Sequence, residues 1–451
     1  MQELAQAMKR DWDERAREDA RWYINTLRHR QSDEEFDQTG AVDVERLVRA
    51  DLPLLTGGRE AATLRALEIG CGAGRMTRHL AGIFAHVTGI DVSGEMIRQA
   101  RERLAGIADK VDLRETNGVD LALFDDEAFD LILSAYVFQH VPSAEVIASN
   151  VREAWRVLAP GGVFKFQTSA VAAPEFERAE KDTWSGATFG EDRIREFARA
   201  VGAQLIGIFG ANTQYCWTLL RKRAAPVSFG GPARIVAYGR TVDAARKRIP
   251  IAGDAASLTV ILAGPPRDAA DCNSVWVELG ERAVQARYVG PIGRNFEAEM
   301  RAGAGDSLAG FTQVEIGIPE GLVPGVISVR VRIEGMGESV SCPIVFEAPQ
   351  PYTPRIGAIM NMADDGLEVF ARGEKSRLRI LVENLAEGAA IDAMRVVIGE
   401  RVLSPDRIAF LPGNVLHEVE IQLPDDIATG STEARIVLGE LASPAYGFEI
   451  R

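Results

Sequence analysis

Apolar and polar positions alternate in two different ways along the chain, and the change falls near Arg223. Up to that point, short apolar runs are separated by charged segments of helical period. The runs predict strands at residues 65–70, 86–91, 111–116, 129–134 and 163–169, and the charged segments predict helices at 75–84, 94–104, 144–158 and 192–201. This alternation predicts a parallel sheet covered by helices on both faces. Two further runs, 204–210 and 215–221, are close enough to pair antiparallel at a sheet edge.

The residues before the first predicted strand have helical character. An apolar stripe of helical period runs through residues 42–54, and residues 5–27 place Trp12 and Trp22 among charged positions. Because tryptophan side chains carry a large apolar surface, we expect this segment to dock on another part of the protein.

From about residue 224 the helical period is absent, and short strand-like runs are separated by Gly and Pro at roughly 8–12-residue spacing. The sequence VEIGIPEGLVPG at 314–325 recurs as VEIQLPDDIATG at 419–430, GER at 280–282 recurs at 399–401, and PARI at 232–235 is matched by PRI at 354–356. Three matches in the same order indicate an internal duplication. The chain after residue 224 is therefore predicted to form two homologous antiparallel β-sandwiches.

Composition narrows the possible functions. The 451 residues are 46% hydrophobic and 26% charged with a net charge of −14, which describes a globular protein of two to four domains. The acidic balance argues against a nucleic-acid or anionic-membrane partner. No apolar run is long enough to span a membrane, and no apolar leader follows Met1, so we predict a cytoplasmic protein. The four cysteines and five histidines are too scattered for a metal site, and no metal is expected.

A glycine-rich turn follows the first predicted strand. Gly70, Gly72 and Gly74 would let the backbone approach a ligand closely, and Asp91 ends the second strand about twenty residues later, where it can bind a ribose. Considered by itself, the glycine-rich turn could serve only to pack the first strand against the following helix. A nicotinamide oxidoreductase would share the acid but would place the third glycine three residues after the second, whereas here it follows after two.

With Glu68 before the glycines, Gly89-Ile-Asp-Val-Ser93 with Met96, Phe129-Asp130, and Leu158-x-Pro-Gly-Gly162, the chain resembles the class I S-adenosylmethionine-dependent methyltransferases, within them the type 11 family. The resemblance covers roughly residues 60–170. It implies a Rossmann-like, seven-stranded domain that binds S-adenosylmethionine and releases S-adenosylhomocysteine. The cofactor-binding candidates are Glu68, Gly70, Cys71, Gly72, Gly74, Asp91, Val92, Met96, Asn117, Gly118, Val119 and Ala135.

The resemblance gives these candidates separate roles. Glu68 and the glycine loop would hold the methionine part of the cofactor, Asp91 would hold the ribose, and Val92 and Met96 would flank the adenine. Met96 fits a core position of its helix equally well. Residues 117–119 would contact the adenine edge, but Asn-Gly is also a common turn dipeptide. Cys71 is expected to be a small packing residue within the loop.

Four more residues are candidates for the acceptor side. Tyr136 ends the fourth strand where the resemblance places the sulfonium. His140 follows as a candidate general base, although the alternative of a residue that orients its loop is favoured. Trp12 and Arg15 resemble the N-terminal lid of some relatives, although an amphipathic helix packed on the sheet would show the same pattern.

The predicted domains are a helical lid segment at 1–58, the methyltransferase domain at 59–224 and β-sandwiches at 225–349 and 350–451. The sandwiches resemble the immunoglobulin-like repeats of surface proteins, some of which hold carbohydrate.

The predicted function is methyl transfer to an O-, N- or C-nucleophile of a small-molecule or glycan acceptor, with the sandwiches binding acceptor, protein partner or a second copy. No Asn/Asp-Pro-Pro-Tyr/Phe motif is present, which argues against nucleic-acid bases as acceptors. The alternative is a binding or scaffold protein whose cofactor domain is a sensor or vestigial.

Overall fold

The chain folds into two compact units, one formed by Met1–Phe229 with Asp268–Asn273 and the other by Gly230–Arg267 with Ser274–Arg451. In the computed structural model the described residues are 2–26, 30–171, 184, 186–211, 213–224, 233–241, 244, 247–251, 256–264, 271–304, 308, 310–335, 337–347, 354–364, 366–383, 385, 394–411, 416–439 and 441–451. The predicted boundaries at 58, 224 and 349 stay predictions.

The first unit is built on a mostly parallel sheet. Its strands within the described ranges are β1 (Arg65–Ile69), β2 (His86–Asp91), β3 (Val111–Glu115), β4 (Phe129–Ser134), β5 (Leu158–Thr168), β6 (Gln204–Phe209) and β7 (Cys216–Arg221). They lie in the order β3-β2-β1-β4-β5-β7-β6, and β7 runs antiparallel to both of its neighbours. Strands β4, β6 and β7 are mostly apolar and buried, as expected where both faces of a sheet are covered, whereas the edge strand β3 ends in exposed residues. The predicted Rossmann-like fold is confirmed.

Seven α-helices accompany this sheet in the described part of the first unit: α1 (Gln2–Ile24), α2 (Asp33–Val44), α3 (Leu52–Thr56), α4 (Thr77–Leu80), α5 (Gly94–Arg103), α6 (Ala144–Val157) and α7 (Glu191–Ala200). A π-helical turn, Glu45–Arg49, continues α2. Helix α1 is interrupted at Asp19, whose φ and ψ are −161° and 84°. Helix α4 is shorter than the predicted 75–84, because the backbone beyond it closes i→i+3 turns at Gly82 and Ile83.

A short piece of chain from beyond residue 267 completes the first unit. The Cys272 N–H donates to the Leu205 carbonyl at 2.8 Å, and Arg195 donates to the Cys272 carbonyl at 3.0 Å. Asp271 pairs with Arg223 at 2.5 Å. Because Cys272 and Arg195 are buried, residues 271–273 are part of the packing of this unit.

The second unit is predominantly β, as predicted. Its strands in the described ranges are β8 (Arg234–Gly239), β9 (Arg248–Pro250), β10 (Ser257–Ala263), β11 (Val275–Leu279), β12 (Arg282–Gln285), β13 (Tyr288–Gly290), β14 (Phe311–Gly317), β15 (Gly325–Ile333), β16 (Gly337–Glu338), β17 (Cys342–Glu347), β18 (Arg355–Asn361), β19 (Arg377–Glu383), β20 (Met394–Ile398), β21 (Arg401–Leu403), β22 (Arg407–Leu411), β23 (Leu416–Gln422), β24 (Gly430–Leu438), β25 (Leu441–Ala442) and β26 (Tyr446–Ile450).

The duplication seen in the sequence reappears in the pairing of these strands. One copy pairs β12-β11-β15-β17 and β13-β14-β10-β8, and the other pairs β21-β20-β24-β26 and β22-β23-β19-β18. The repeated GER segments fall in the β11–β12 and β20–β21 hairpins, where Gly280 and Gly399 have φ of 64° and 56°. Glycine meets this turn requirement in both copies. The immunoglobulin-like resemblance stays a prediction.

One helix in the second unit corrects the prediction that helical periodicity ends near residue 224. Helix α8 (Arg294–Ala304) lies between β13 and β14. Phe296 and Met300, one helical turn apart, are buried in a cluster with Ala244 and Ile261. This apolar pair is the whole inward face of the helix within the described residues, which is too short a signal among Gly-rich neighbours to be recognised in the sequence.

Candidate active site

The loop after β1 is shaped by three glycines in left-handed conformation: φ is 74° at Gly70, 53° at Gly72 and 80° at Gly74. A Cβ at Gly70 would lie 2.3 Å from a methyl carbon of Val137, so no other residue fits there without rearrangement. The N–H groups of Gly70 and Cys71 donate to the Ile90 carbonyl at 2.7 and 2.9 Å. The loop is therefore tied to the end of β2.

Asp91 lies at that end of β2 and is held by the backbone. One carboxylate oxygen accepts the Gly72 N–H at 2.9 Å, and the other accepts the Ser93 N–H at 2.9 Å. A carboxylate has about four acceptor positions, so these backbone hydrogen bonds leave room for a ligand. Burial raises the pKa of Asp91 to about 6, against the lowering effect of these backbone hydrogen bonds. The arrangement fits a pair of ribose hydroxyls.

Glu68 lies beneath the glycine loop and is 5% exposed. It accepts a hydrogen bond from the Thr77 hydroxyl at 2.6 Å. Burial, with a smaller contribution from the charge of Asp91, raises the pKa of Glu68 to about 7, against the lowering effect of the Thr77 hydrogen bond and the Arg75 charge. Burial and the same two acids also raise the pKa of the Cys71 thiol, which suits its expected packing role.

The remaining cofactor candidates lie along the same edge of the sheet, and Ala135 is half-buried after β4. Val92 adjoins Gly118, where a Cβ would lie 3.0 Å from a Val92 methyl carbon. Asn117 accepts the N–H groups of Val119 and Asp120 at 2.8 and 3.0 Å, which is the geometry of a turn.

Met96 is 1% exposed and packs with Ala16, Ala20, Phe36 and Ala73. This environment is that of a core residue of α5, the second of the two roles expected for it.

Tyr136 has an unusual backbone conformation at the carboxyl end of β4, with a φ of 62°. Its half-buried ring lies edge-on to Trp217, at 5.7 Å between centroids, and to Tyr215, at 6.2 Å. A non-glycine residue in this region is strained, and such residues cluster at functional sites.

His140 ends a 3₁₀ turn, Phe138–His140. Its Nδ1 contacts the Trp184 carbonyl, and its Nε2 lies 3.1 Å from the Gln139 side-chain nitrogen. A carbonyl only accepts and an amide nitrogen only donates, so the hydrogen is on Nδ1 and the lone pair is on Nε2. Both contacts suit the role of orienting the loop.

The region that carries these residues is similar to a known family of domains. Residues 67–166 match the family described as "Methyltransferase domain". This segment is a methyltransferase domain. The resemblance expected from the motifs is confirmed, and S-adenosylmethionine is the cofactor of this class of domain.

Two curated relatives, both named ubiquinone biosynthesis O-methyltransferase, match the same region. The protein from Aromatoleum aromaticum is 35% identical over 104 residues, which is 23% of this chain and 43% of the relative. The protein from Xanthomonas oryzae pv. oryzae is 33% identical over 103 residues, 23% of this chain and 42% of the relative. The chain thus spans less than half the length of these relatives.

A solved structure described as "DhpI-SAH complex structure" is 22% identical, with a TM-score of 0.34 over 49% of this chain and 98% of that one.

Helix α1 lies across the carboxyl edge of the methyltransferase domain. Asp13 accepts the Ser93 hydroxyl at 2.6 Å and the Glu95 N–H at 3.1 Å, which places its carboxylate at the N-terminus of α5. Farther along, Ile24 reaches the glycine loop, since a Cβ on Gly72 would be 2.7 Å from its Cδ1.

Trp12 and Arg15, the two predicted lid residues, lie in an aromatic cluster with Tyr23 and Trp184. The Arg15 guanidinium carbon is 5.0, 5.8 and 5.6 Å from the ring centroids of Trp12, Tyr23 and Trp184, within the range of cation–π contact. The cluster adjoins His140, whose ring is 5.5 Å from Trp12 and 4.7 Å from Trp184.

Sequence reasoning missed several residues that build this edge of the methyltransferase domain. Asp13 carried a usable signal, because it lies one residue from Trp12 on the predicted helix. Trp184, Gln139 and Gln167 carried none, since their contacts join segments that are far apart in the sequence.

Within the described ranges no three His, Cys, Asp or Glu side chains come together as a metal site, and no helix is long and apolar enough to cross a membrane.

Proposed function

We propose that this protein transfers a methyl group from S-adenosylmethionine to an oxygen nucleophile of a small-molecule acceptor. The observation that carries the proposal is the geometry of Asp91, whose backbone-held carboxylate keeps acceptor capacity for a ligand beside a glycine loop that a Cβ would obstruct. The name O-methyltransferase, borne by relatives of residues in the 67–166 region, favours oxygen over nitrogen or carbon. A glycan is one form such an acceptor can take.

The bound cofactor supplies a methyl group that is already activated for transfer. The protein's residues then need to align the acceptor and exclude water, a positioning effect worth up to about 7–11 kcal/mol. Asp91 and the glycine loop provide the fixed side of that arrangement. Helix α1 covers it, with Asp13 anchored on α5 and Ile24 on the loop.

An oxygen nucleophile must lose its proton during the reaction, and His140 is the candidate base. Its Nε2 carries the lone pair, while Nδ1 donates to the Trp184 carbonyl. Accepting a proton at Nε2 requires the Gln139 amide to turn away, so His140 acts as a base only when an acceptor displaces that contact. Tyr136 contributes the wall of the acceptor side next to Trp217.

The β unit is proposed to hold an acceptor or a protein partner, or to mediate self-association. Its duplicated sheets present two related surfaces for such contacts.

The test is calorimetry of the full chain with S-adenosylhomocysteine. In Asp91→Asn, an amide NH2 replaces one carboxylate oxygen, so one backbone N–H faces a donor and the contact to the ribose is weakened. Kd should rise by roughly 10–150-fold, which corresponds to a loss of about 1.5–3 kcal/mol in binding free energy. Asp112→Asn is the matched control, because Asp112 lies on β3 in a surface pair with Arg114 and should leave Kd unchanged.

A screen of small alcohols, phenols, amines and sugars, read by S-adenosylhomocysteine release, then tests turnover. Tight cofactor binding without turnover of any acceptor would favour the alternative of a sensor or scaffold. An unchanged Kd in Asp91→Asn would contradict the assignment of the ribose site.

A further inference from the structure

Gln167 lies at the carboxyl end of β5 and is completely buried, with 0% exposure. Within the part of the chain that the structure describes, its side-chain oxygen Oε1 has no hydrogen-bond partner. Buried amide oxygens are nearly always paired, so this one calls for an explanation. The carboxyl ends of parallel strands are where open α/β sheets bind ligands.

The orientation of this amide is fixed by its nitrogen. Nε2 lies 2.6 Å from the Gln214 carbonyl, 3.1 Å from the Thr168 carbonyl and 3.2 Å from the Gln139 side-chain oxygen. All three are acceptors, so an amide turned the other way would set oxygen against oxygen. The unpaired atom is therefore an acceptor.

The neighbours of Gln167 belong to the acceptor side. Trp217 lies directly opposite it on β7, and the Trp217 ring contacts the strained Tyr136. Gln139, which receives the Gln167 amide hydrogen, also contacts His140. An unpaired acceptor is thus placed among aromatic rings and one contact away from the candidate base.

We propose that Gln167 Oε1 accepts a hydrogen bond from the hydroxyl group of the methyl acceptor, and so determines specificity for an alcohol or phenol. The inference rests on the proposed function. In the transfer, the bond between sulfur and the methyl carbon breaks with its electron pair left on sulfur, the oxygen–carbon bond forms, and the hydroxyl proton passes to Nε2 of His140, the base of the proposed function. The ether product has no hydrogen for Gln167, so the same contact distinguishes substrate from product and favours release.

The test uses the full chain saturated with S-adenosylhomocysteine and two probes, benzyl alcohol and benzyl methyl ether, with affinities measured by ligand-observed NMR. Wild-type protein should bind the alcohol roughly 3–10-fold more tightly than the ether, as expected for one net hydrogen bond. Gln167→Met should bind both equally. Gln167→Asn, which draws the amide back by one methylene, should keep a reduced preference and serves if Gln167→Met does not fold.

Thr218→Val is the matched control. Its hydroxyl is also buried without a partner among the described residues, but Thr218 lies opposite Phe166 and so on the other face of the sheet. This variant should keep the full preference for the alcohol. In every variant the Kd for S-adenosylhomocysteine should match that of the wild type.

Equal binding of alcohol and ether by the wild type, binding of neither, or a preference that survives in Gln167→Met would overturn the assignment of Gln167. Failure of the wild type to bind S-adenosylhomocysteine would instead overturn the proposed function.

Discussion

The proposed cofactor side and the proposed acceptor side of the candidate site are built in different ways. The cofactor side, residues 68–119, is held by backbone hydrogen bonds between adjacent strands, such as those of Gly70 and Cys71 to Ile90. The acceptor side, comprising Tyr136–His140, Gln167, Trp184 and Tyr215, is held by side chains from distant segments. His140 reaches Trp184 across 44 residues, and Gln167 reaches Gln214 across 47. The geometry of the cofactor side is a property of the fold. The geometry of the acceptor side depends on which side chains this particular sequence places there.

The largest expected effect is on the cofactor side. Gly70→Ala adds a Cβ 2.3 Å from a Val137 methyl carbon at a φ of 74°, which combines a strained backbone with overpacking. We expect a loss of about 2–5 kcal/mol in the free energy of unfolding, measured by chemical denaturation, and a matching loss of S-adenosylhomocysteine affinity. Gly106→Ala is the control, since a Cβ there has no described atom within 4 Å. Equal stability of the two variants would remove the argument that the loop tolerates no side chain.

A substitution on the acceptor side should separate stability from cofactor binding. Trp184→Ala removes ring contacts with Trp12, Tyr23 and His140. Each aromatic pair contributes roughly 0.5–1.5 kcal/mol, so we expect a total loss of about 1–3 kcal/mol and faster proteolysis of α1. The Kd for S-adenosylhomocysteine should change less than twofold. A large change in that Kd would show that the two sides are not independent.

The smallest expected effect is the dependence of cofactor binding on pH. Because the pKa of Asp91 is about 6, its ionised fraction falls about tenfold between pH 7 and pH 5, and calorimetry should show a similar rise in Kd for S-adenosylhomocysteine. The free energy of unfolding should instead rise as the pH falls. The pKa in the folded state lies above the ordinary value of 3.8, so the folded state binds more protons between these values and becomes more stable as pH falls through that window. An Asp91→Asn variant should lose this pH dependence of Kd and of stability. If the variant keeps it, Glu68 is the titrating group.

The same contrast explains how far the sequence could be interpreted. Strands β2 and β4 were predicted with their observed bounds, because each is a short apolar run between turn signals. Asp91 and the glycine loop were predicted because their spacing follows the strand–turn–helix unit. Gln167 and Trp184 could not be predicted, since their contacts are with residues of the loop after β4 that lie 28 and 44 residues away in the sequence.

Residues 271–273, which complete the α/β unit, also set the timing of its folding on the ribosome. They follow Arg223 by about fifty residues, which take about 3–10 s to synthesise at 5–20 residues per second. Until then the Leu205 carbonyl lacks the Cys272 N–H, and Arg223 lacks Asp271. The nascent α/β unit therefore passes through an incomplete stage while strands β8–β10 of the second unit are already being made.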